Sequence, residues 1–302
     1  MSGGIVVVGS LNMDLVVRAP RHPHVGETII GSDFGTYPGG KGANQAVAAA
    51  RMGGAVKMVG RVGHDDFGQA LLRNVSDNGV DTTFILRDPH SATGVALITV
   101  DDAGQNTIVV ASGANARLTP EDVARAESVF EDASVLMLQL ETPLLAISRA
   151  IEIAQHHGLT VVLNPAPAQK LDAGLLASVD YLIPNQTELA LLAGVQPLEE
   201  AVAVLQGWGV PNLIVTLGER GVLIAQGERQ THLPAHPVEV VDTTAAGDAF
   251  VGAFAVALTQ GLSTQESAAW SNAAGALAVT RPGAQPSLPN RAELDEFLTR
   301  LE

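Results

Sequence analysis

The most specific chemistry in the chain lies in a run of small residues between two carboxylates, Asp242-Thr243-Thr244-Ala245-Ala246-Gly247-Asp248-Ala249-Phe250. Small side chains let successive backbone N–H groups at the mouth of a helix converge on one point, and converging amides form an anion hole. A small phosphate group is the natural occupant. Asp248, in the first turn beside that hole, can take the proton of a hydroxyl whose oxygen attacks phosphorus. The plainer alternative is that Asp248 only complements the helix dipole, as first-turn acids commonly do.

A second cluster, Gly39-Gly40-Lys41-Gly42-Ala43-Asn44, sets three glycines around one lysine. Such a segment lets backbone approach a ligand while Lys41 and Asn44 supply polar contacts, or it is an ordinary glycine-rich turn. Residues 35–42 imitate a Walker A loop as far as the lysine, but Gly42 stands where that loop needs a hydroxyl for magnesium. Further polar groups follow expected strands, where open α/β sheets bind ligands. Asn12, Asp14 and Glu141 there suit a polyol, whereas Asn185 and Glu188 suit hydrated magnesium and nucleotide phosphates. Each alone is equally a helix cap or a solvated acid. Thr216-Leu217-Gly218-Glu219-Arg220-Gly221 also follows a strand, with glycines to admit phosphate and Arg220 either to meet it or to sit on the surface.

These groups need a scaffold, and the hydrophobic pattern describes one. Short β-branched runs at 5–9, 56–60, 135–140, 160–163, 181–184 and 212–217 alternate with helical periodicity at 43–52, 65–78, 120–131, 143–157 and 186–193. That alternation predicts an α/β fold, a central mostly parallel sheet with helices on both faces. Residues 13–37 and 93–112 break the rhythm: they alternate apolar and polar side chains without an intervening helix, which predicts antiparallel strands outside the main sheet. Ala-rich helices follow at 246–260, 264–279 and 290–301.

Composition narrows the function. The 302 residues are 46% hydrophobic, enough to bury a large core, and mean hydropathy is +0.22. No apolar run reaches the ~20 residues that cross a bilayer, and the first residues lack the basic start of a secretory signal. With 32 acidic against 17 basic residues the net charge is -15, which repels a polyphosphate strand and excludes nucleic acid as a partner. The absence of cysteine removes disulfides, thiolate catalysis and Cys-based metal sites, and points to the cytoplasm.

Taken together these residues resemble the ribokinase family of carbohydrate kinases, from Val8-Gly9-Ser10-Leu11-Asn12-Met13-Asp14 to Arg281-Pro282-Gly283-Ala284-Gln285-Pro286-Ser287. Gln139-Leu140-Glu141, Asn164-Pro165-Ala166-Pro167-Ala168 and Pro184-Asn185-Gln186-Thr187-Glu188 resemble its ribose kinases more than its adenosine or fructose kinases. The resemblance implies ATP-dependent phosphorylation of the 5-hydroxyl of D-ribose, with Asp248 as base and the N–H groups of Ala245, Ala246, Gly247 and Asp248 as anion hole. It implies a sugar site of Asn12, Met13, Asp14, Gly40, Lys41, Gly42, Ala43, Asn44 and Glu141, together with Asp248. ATP would meet Asn185, Thr216, Leu217, Gly218, Glu219, Arg220, Gly221, Gly247, Asp248 and Asn272, with Glu188 organising magnesium through water. A monovalent cation, potassium, would be held at Asp242, Thr244, Ala278, Arg281, Gly283 and Ser287; the competing reading is that Asp242 caps a turn and Pro282-Gly283 is a bend. The likeness further implies a lid of residues 13–37 and 93–112 over a core of 1–12, 38–92 and 113–302, and a homodimer paired through the lid. A kinase for another sugar such as deoxyribose, or for a nucleoside, is the enzymatic alternative, and a non-catalytic sugar sensor the other. A sensor needs no base, which Asp248 supplies. The lack of Gly-x-Gly-x-x-Gly after the first strand excludes a nicotinamide dehydrogenase.

Overall fold

The computed structural model describes residues 3–300. In chain order its elements are β1 (Gly4–Val8), β2 (Asn12–Arg18), β3 (Asp33–Gly39), α1 (Lys41–Arg51), β4 (Val56–Gly63), α2 (Asp66–Asp77), β5 (Asp81–Asp88), β6 (Gly94–Val100), β7 (Asn106–Ala111) and α3 (Pro120–Arg125). There follow β8 (Ala133–Leu138), α4 (Leu144–His157), β9 (Thr160–Leu163), α5 (Ala173–Ala177), β10 (Tyr181–Leu182), α6 (Gln186–Ala193), α7 (Leu198–Gly207), β11 (Asn212–Thr216), β12 (Val222–Gln226), β13 (Arg229–Leu233), α8 (Ala246–Thr259), α9 (Thr264–Ala278) and α10 (Arg291–Thr299).

A nine-stranded sheet runs β13-β12-β11-β10-β9-β8-β1-β4-β5, parallel except for the antiparallel pairings β11–β12 and β12–β13 at one edge. Helices cover both faces because β1 is apolar at every buried position. Ile5 and Val7 enter a core shared with α1 and α8, while Val6 and Val8 enter another shared with α4 and α7. The chain leaves β1 toward β4 and β5 on one side and builds β8 through β13 on the other. The switch point therefore falls between β1 and β8, and a crevice opens beyond their carboxyl ends.

A separate four-stranded sheet has the order β3-β2-β6-β7. The expected antiparallel pairs are β2–β3 and β6–β7, and a parallel register from Asn12↔Gly94 to Arg18↔Val100 joins them in the middle. No alternation pattern distinguishes those two senses of pairing.

Several segments differ from their local pattern. The helix expected over 120–131 stops at Arg125 and continues as a 3-10 turn over Glu127–Val129. The strand expected over 181–184 pairs only at Tyr181 and Leu182. Periodicity leaves β5, α5, α7 and the β12–β13 hairpin unassigned; β5 is half exposed at the sheet's edge, so its apolar pattern is diluted. Among the described residues no helix is long and apolar enough to cross a membrane.

Candidate active site

The crevice begins with Ser10 and Asn12 beyond β1 and Glu141 beyond β8. Glu141 Oε2 accepts from the Ser10 hydroxyl, from Asn12 Nδ2 at 3.3 Å and from the Lys41 backbone N–H at 3.0 Å. One carboxylate thus joins the ends of two strands to the first residue of α1. Asn115, which the sequence reading missed, donates to Asn12 Oδ1 at 2.8 Å and brackets Leu11 through both its carbonyl and its N–H. Gly40 has φ 90°, and a Cβ there would lie 2.6 Å from the Asn12 nitrogen, so only glycine lets the chain enter α1 this close to β2. Asp14 stands on β2 against Gly39 of β3, where an added Cβ would fall 2.3 Å from its Oδ2.

Asp248 enters from the other side, on the first turn of α8, and is buried. Its Oδ2 accepts from Asn44 Nδ2 and its Oδ1 from Gln45 Nε2, each at 3.0 Å. Both donors belong to α1, and the close approach of the two helices brings them within reach. A Cβ on Gly252 would lie 2.5 Å from the Ala48 Cβ and 2.8 Å from the Ala49 nitrogen. The Ala- and Gly-rich faces therefore set the distance at which an amide on one helix meets a carboxylate on the other. Ala245, just before α8, has φ 59°, the one non-glycine with positive φ among the described residues. Such a conformation costs roughly 1 kcal/mol for an L-residue and gathers at functional turns. Ala245, Gly247 and Asp248 all line one cavity, and Gly247 leaves open space beside the start of the helix.

The charges are strongly coupled. Burial, then the Glu141 and Asp248 carboxylates, push Asp14 up to about 7 from its ordinary 3.8. Burial by itself would depress the Lys41 ammonium, but Asp248, Glu141 and Glu188 outweigh it and hold its pKa above the ordinary lysine value. Glu188 is raised, chiefly by burial, against the lowering effect of the Asn185 N–H and Lys41. Lys41 is thus the cation about which this ring of acids is arranged.

Two adjoining cavities lead away from Asp248. The smaller, about 310 Å³, is lined by Lys41, Asn164, Asn185, Glu188, Thr243, Ala245, Gly247 and Asp248 among others. The larger, about 830 Å³, is mostly apolar and shares Thr216, Gly218, Thr243 and Gly247 with it. Its walls are Val222, Val238, Val240, Phe250, Ala276 and Val279, with Glu219, Gly221, Asn272 and His236 at polar points. A polar vestibule beside a base and a large apolar chamber behind it suit a polyphosphate with a flat base. Apolar residues on a loop and a helix face carry no spacing signal, so Val238, Val240 and Phe250 escape sequence reasoning.

Other expected residues are oriented away from the cavities. Met13 and Ala43 turn into the core, and Gly42 docks α1 on β1 through its N–H to the Ser10 hydroxyl, so these three shape the crevice from behind. Leu217 is buried in the opposite core layer, and Arg220 is held by the Gln186 side-chain oxygen along a separate groove. Asn185 and Glu188 form a reciprocal cap on α6, each side chain accepting the other's backbone N–H at 2.8 Å, while still lining the smaller cavity. Among the described residues no group of three or more His, Asp or Glu is arranged to hold a metal ion, so any cation here depends on carbonyls, water or phosphate. Asp242 accepts from the Thr244 N–H and hydroxyl at 2.9 and 2.6 Å and from the Gly283 N–H at 2.8 Å, joining two loops. Its carboxyl is held below the usual range because those donors, with Arg18, outweigh its burial. Asp242 thus caps its own turn and ties it to the Pro282-Gly283 bend.

Comparison with known proteins agrees with this geometry. The model of the pfkB family carbohydrate kinases matches residues 3–291. The chain is 40% identical to the ribokinase of Haemophilus influenzae, over 97% of this chain and 98% of that protein. It is 38% identical to a deoxyribokinase of Salmonella typhi, over 98% of each. The structure of Arabidopsis thaliana ribokinase complexed with ribose and ATP superposes with a TM-score of 0.92 at 35% identity, covering 99% of both chains.

Proposed function

This chain belongs to the pfkB family of carbohydrate kinases, and we propose that it transfers the γ-phosphoryl group of ATP to the 5-hydroxyl of D-ribose, giving D-ribose 5-phosphate and ADP. The observation that carries the reading is Asp248, fixed by two buried amides at the junction between the crevice and the vestibule of the large cavity. Asn12, Asp14, Lys41, Asn44 and Glu141 bind the sugar hydroxyls and aim the terminal one at Asp248. As its oxygen attacks the γ-phosphorus, Asp248 Oδ takes the proton, and the N–H groups of residues 245–248 receive the growing charge on the phosphoryl oxygens. Lys41 adds its positive charge on the same side. Glu188 and Asn185 would hold, through water, the magnesium that arrives with the nucleotide and would supply charge to its phosphates. The base of ATP occupies the apolar chamber, with Asn272 and His236 at its polar edge.

Three extensions belong to the same reading. The sheet β3-β2-β6-β7 acts as a lid that closes on ribose and excludes water, and two copies pair through it. The loops joined by Asp242, with Thr244, Ala278, Arg281, Gly283 and Ser287, would hold potassium, which would steady the turn that carries the anion hole. The cysteine-free composition supports action in the cytoplasm.

The Salmonella deoxyribokinase at 38% identity supports 2-deoxyribose as a second reading. An assay coupled to ADP release, run over ribose, 2-deoxyribose, fructose and adenosine, separates them. Loss of the 2-hydroxyl leaves buried partners unpaired at a cost of ~1–3 kcal/mol, so ribose should lead by about 5- to 150-fold. Equal rates on both pentoses favour the second reading, and no ADP with any sugar refutes the kinase.

A further inference from the structure

Asp248 is seated by a line of side-chain amides that reaches far beyond the residues expected to bind sugar or ATP. From one end, Asn74 on α2 donates to Gln285 Oε1, Gln285 Nε2 donates to Asn44 Oδ1 at 3.1 Å, and Asn44 Nδ2 donates to Asp248 Oδ2 at 3.0 Å. From the other end, Gln139 Nε2 donates to Gln45 Oε1 at 2.6 Å. Gln45 Nε2 then serves both Asp248 Oδ1 and Asn164 Oδ1 at 3.0 Å, and Asn164 in turn donates to the Ile183 carbonyl at 2.8 Å. All of these amides except Asn74 are buried.

A carboxamide can sit either way round, with oxygen or nitrogen toward a neighbour. In this line each link dictates the next. Because Asn74 gives its N–H to the Gln285 oxygen, Gln285 must offer nitrogen to Asn44, and Asn44 must then offer nitrogen to the carboxylate. At the other end the Ile183 carbonyl can only accept, so Asn164 turns its oxygen to Gln45 and Gln45 must offer nitrogen, with Gln139 donating to the oxygen left over. A reversed amide at either end would set an oxygen against the Asp248 carboxylate.

We infer that Gln285 and Gln45 are positioning residues of the reaction, which hold the Asp248 carboxylate on two oriented N–H donors. Through Gln285 the state of the 281–287 loop is also transmitted to the base. That loop is itself anchored, since Arg51 Nη1 donates to the Gln285 and Leu288 carbonyls at 2.7 and 2.8 Å. The catalytic consequence rests on the kinase reading; the orientation of the carboxylate does not. Lys41 from α1, Asp14 from β2 and Glu188 from α6 also act on Asp248, while Arg281 and Glu293 lie around Arg51, so the variants must leave all of these in place.

Two variants meet that condition. Gln285→Glu keeps the acceptor for Asn74 but removes the donor to Asn44, whose amide then turns its N–H to the new carboxylate and its oxygen to Asp248. Asn74→Ala adds no charge and releases Gln285 from its fixed orientation. The Asp248 carboxyl is followed by 13C NMR titration, its signal identified by its loss in Asp248→Asn, beside steady-state kinetics on ribose and ATP. In Gln285→Glu kcat should fall at least about tenfold, KM for ATP should stay within about twofold, and the Asp248 midpoint should rise, with the uncharged Asn74→Ala separating the lost donor from the added charge. Asn74→Ala should move the midpoint and kcat the same way by less, and it carries the test if Gln285→Glu does not fold. Midpoints equal to that of the wild type in the folded variants, with only melting temperature lowered, would overturn the inference. A wild-type protein that releases no ADP refutes the kinase reading, and the difference in midpoint between the variants and the wild type still reads the amide line.

Discussion

Asp14 is the residue whose position is hardest to reconcile with stability alone, and Asp14→Asn turns that into a measurement. Its carboxyl is lodged between Gly39 and a crevice already holding Glu141 and Asp248, and its pKa rises from 3.8 to about 7. At about 1.36 kcal/mol for each tenfold change in proton affinity, keeping it ionised in the folded protein costs about 4 kcal/mol. Water still reaches this half-buried group, so we expect about 1–3 kcal/mol in practice. The sign follows from a raised acid: the folded state binds the proton more tightly than the unfolded chain. The stabilisation is full below about pH 4, is lost progressively between about pH 4 and 7, and is gone above the folded pKa. Asn cannot ionise, so Asp14→Asn should melt above the wild type at pH 8, by about 2 °C for each kcal/mol in a chain of this size, and the gap should close on lowering the pH to about 4.5. The same variant should raise KM for ribose at least about tenfold with little change for ATP, because a carboxylate acceptor for sugar hydroxyls is lost. Thermal scans from pH 4.5 to 8 in the absence of ligands decide the first part. A variant that melts at or below the wild type at pH 8, or a gap independent of pH, would refute the argument that this charge is held there against its solvation.

Asp248→Asn should lower kcat by at least ~10² while calorimetric ribose binding stays near wild type, since the amide keeps the shape but cannot take a proton; near-native turnover would remove Asp248 as the base. Exchanging potassium for sodium and then for a bulky organic cation at constant ionic strength should lower initial rates in that order, and identical rates in all three would leave the loops around Asp242 without an ion role. On β7 every residue is exposed, including Ile108 at 53%, Val109 at 66% and Val110 at 45%, so light scattering at micromolar concentration should report a dimer that Val109→Asp dissociates. A monomeric wild type would end the lid-pairing reading.

Much of this architecture is legible in local pattern, because burial on one face or two leaves its period in the sequence. Val6 and Val8 alternate with Ile5 and Val7 between two cores, and that double burial writes the continuous apolar run of a central parallel strand. The groups that follow strand ends, Asn12 and Glu141, and the small-residue mouth of α8 were likewise readable, since a helix N-terminus with an acid beside it is a local arrangement. Pairing sense was not: β2 and β6 run parallel because of how the chain returns to the sheet, and side-chain alternation is the same for either sense. The left-handed turn at Ala245 was also hidden, because alanine does not announce positive φ as glycine does. Nor could spacing show that Gln45 and Asn164, 119 positions apart, or Asn44 and Gln285, 241 apart, belong to one site. Glutamine and asparagine are common on surfaces, and although the glycine-rich cluster marks Asn44, nothing local places Gln45, Asn164 and Gln285 beside it. Only the packing of α8 on α1 at glycine distance brings their amides to the carboxylate, so the sequence determined which chemistry was present and the tertiary structure decided which groups orient it.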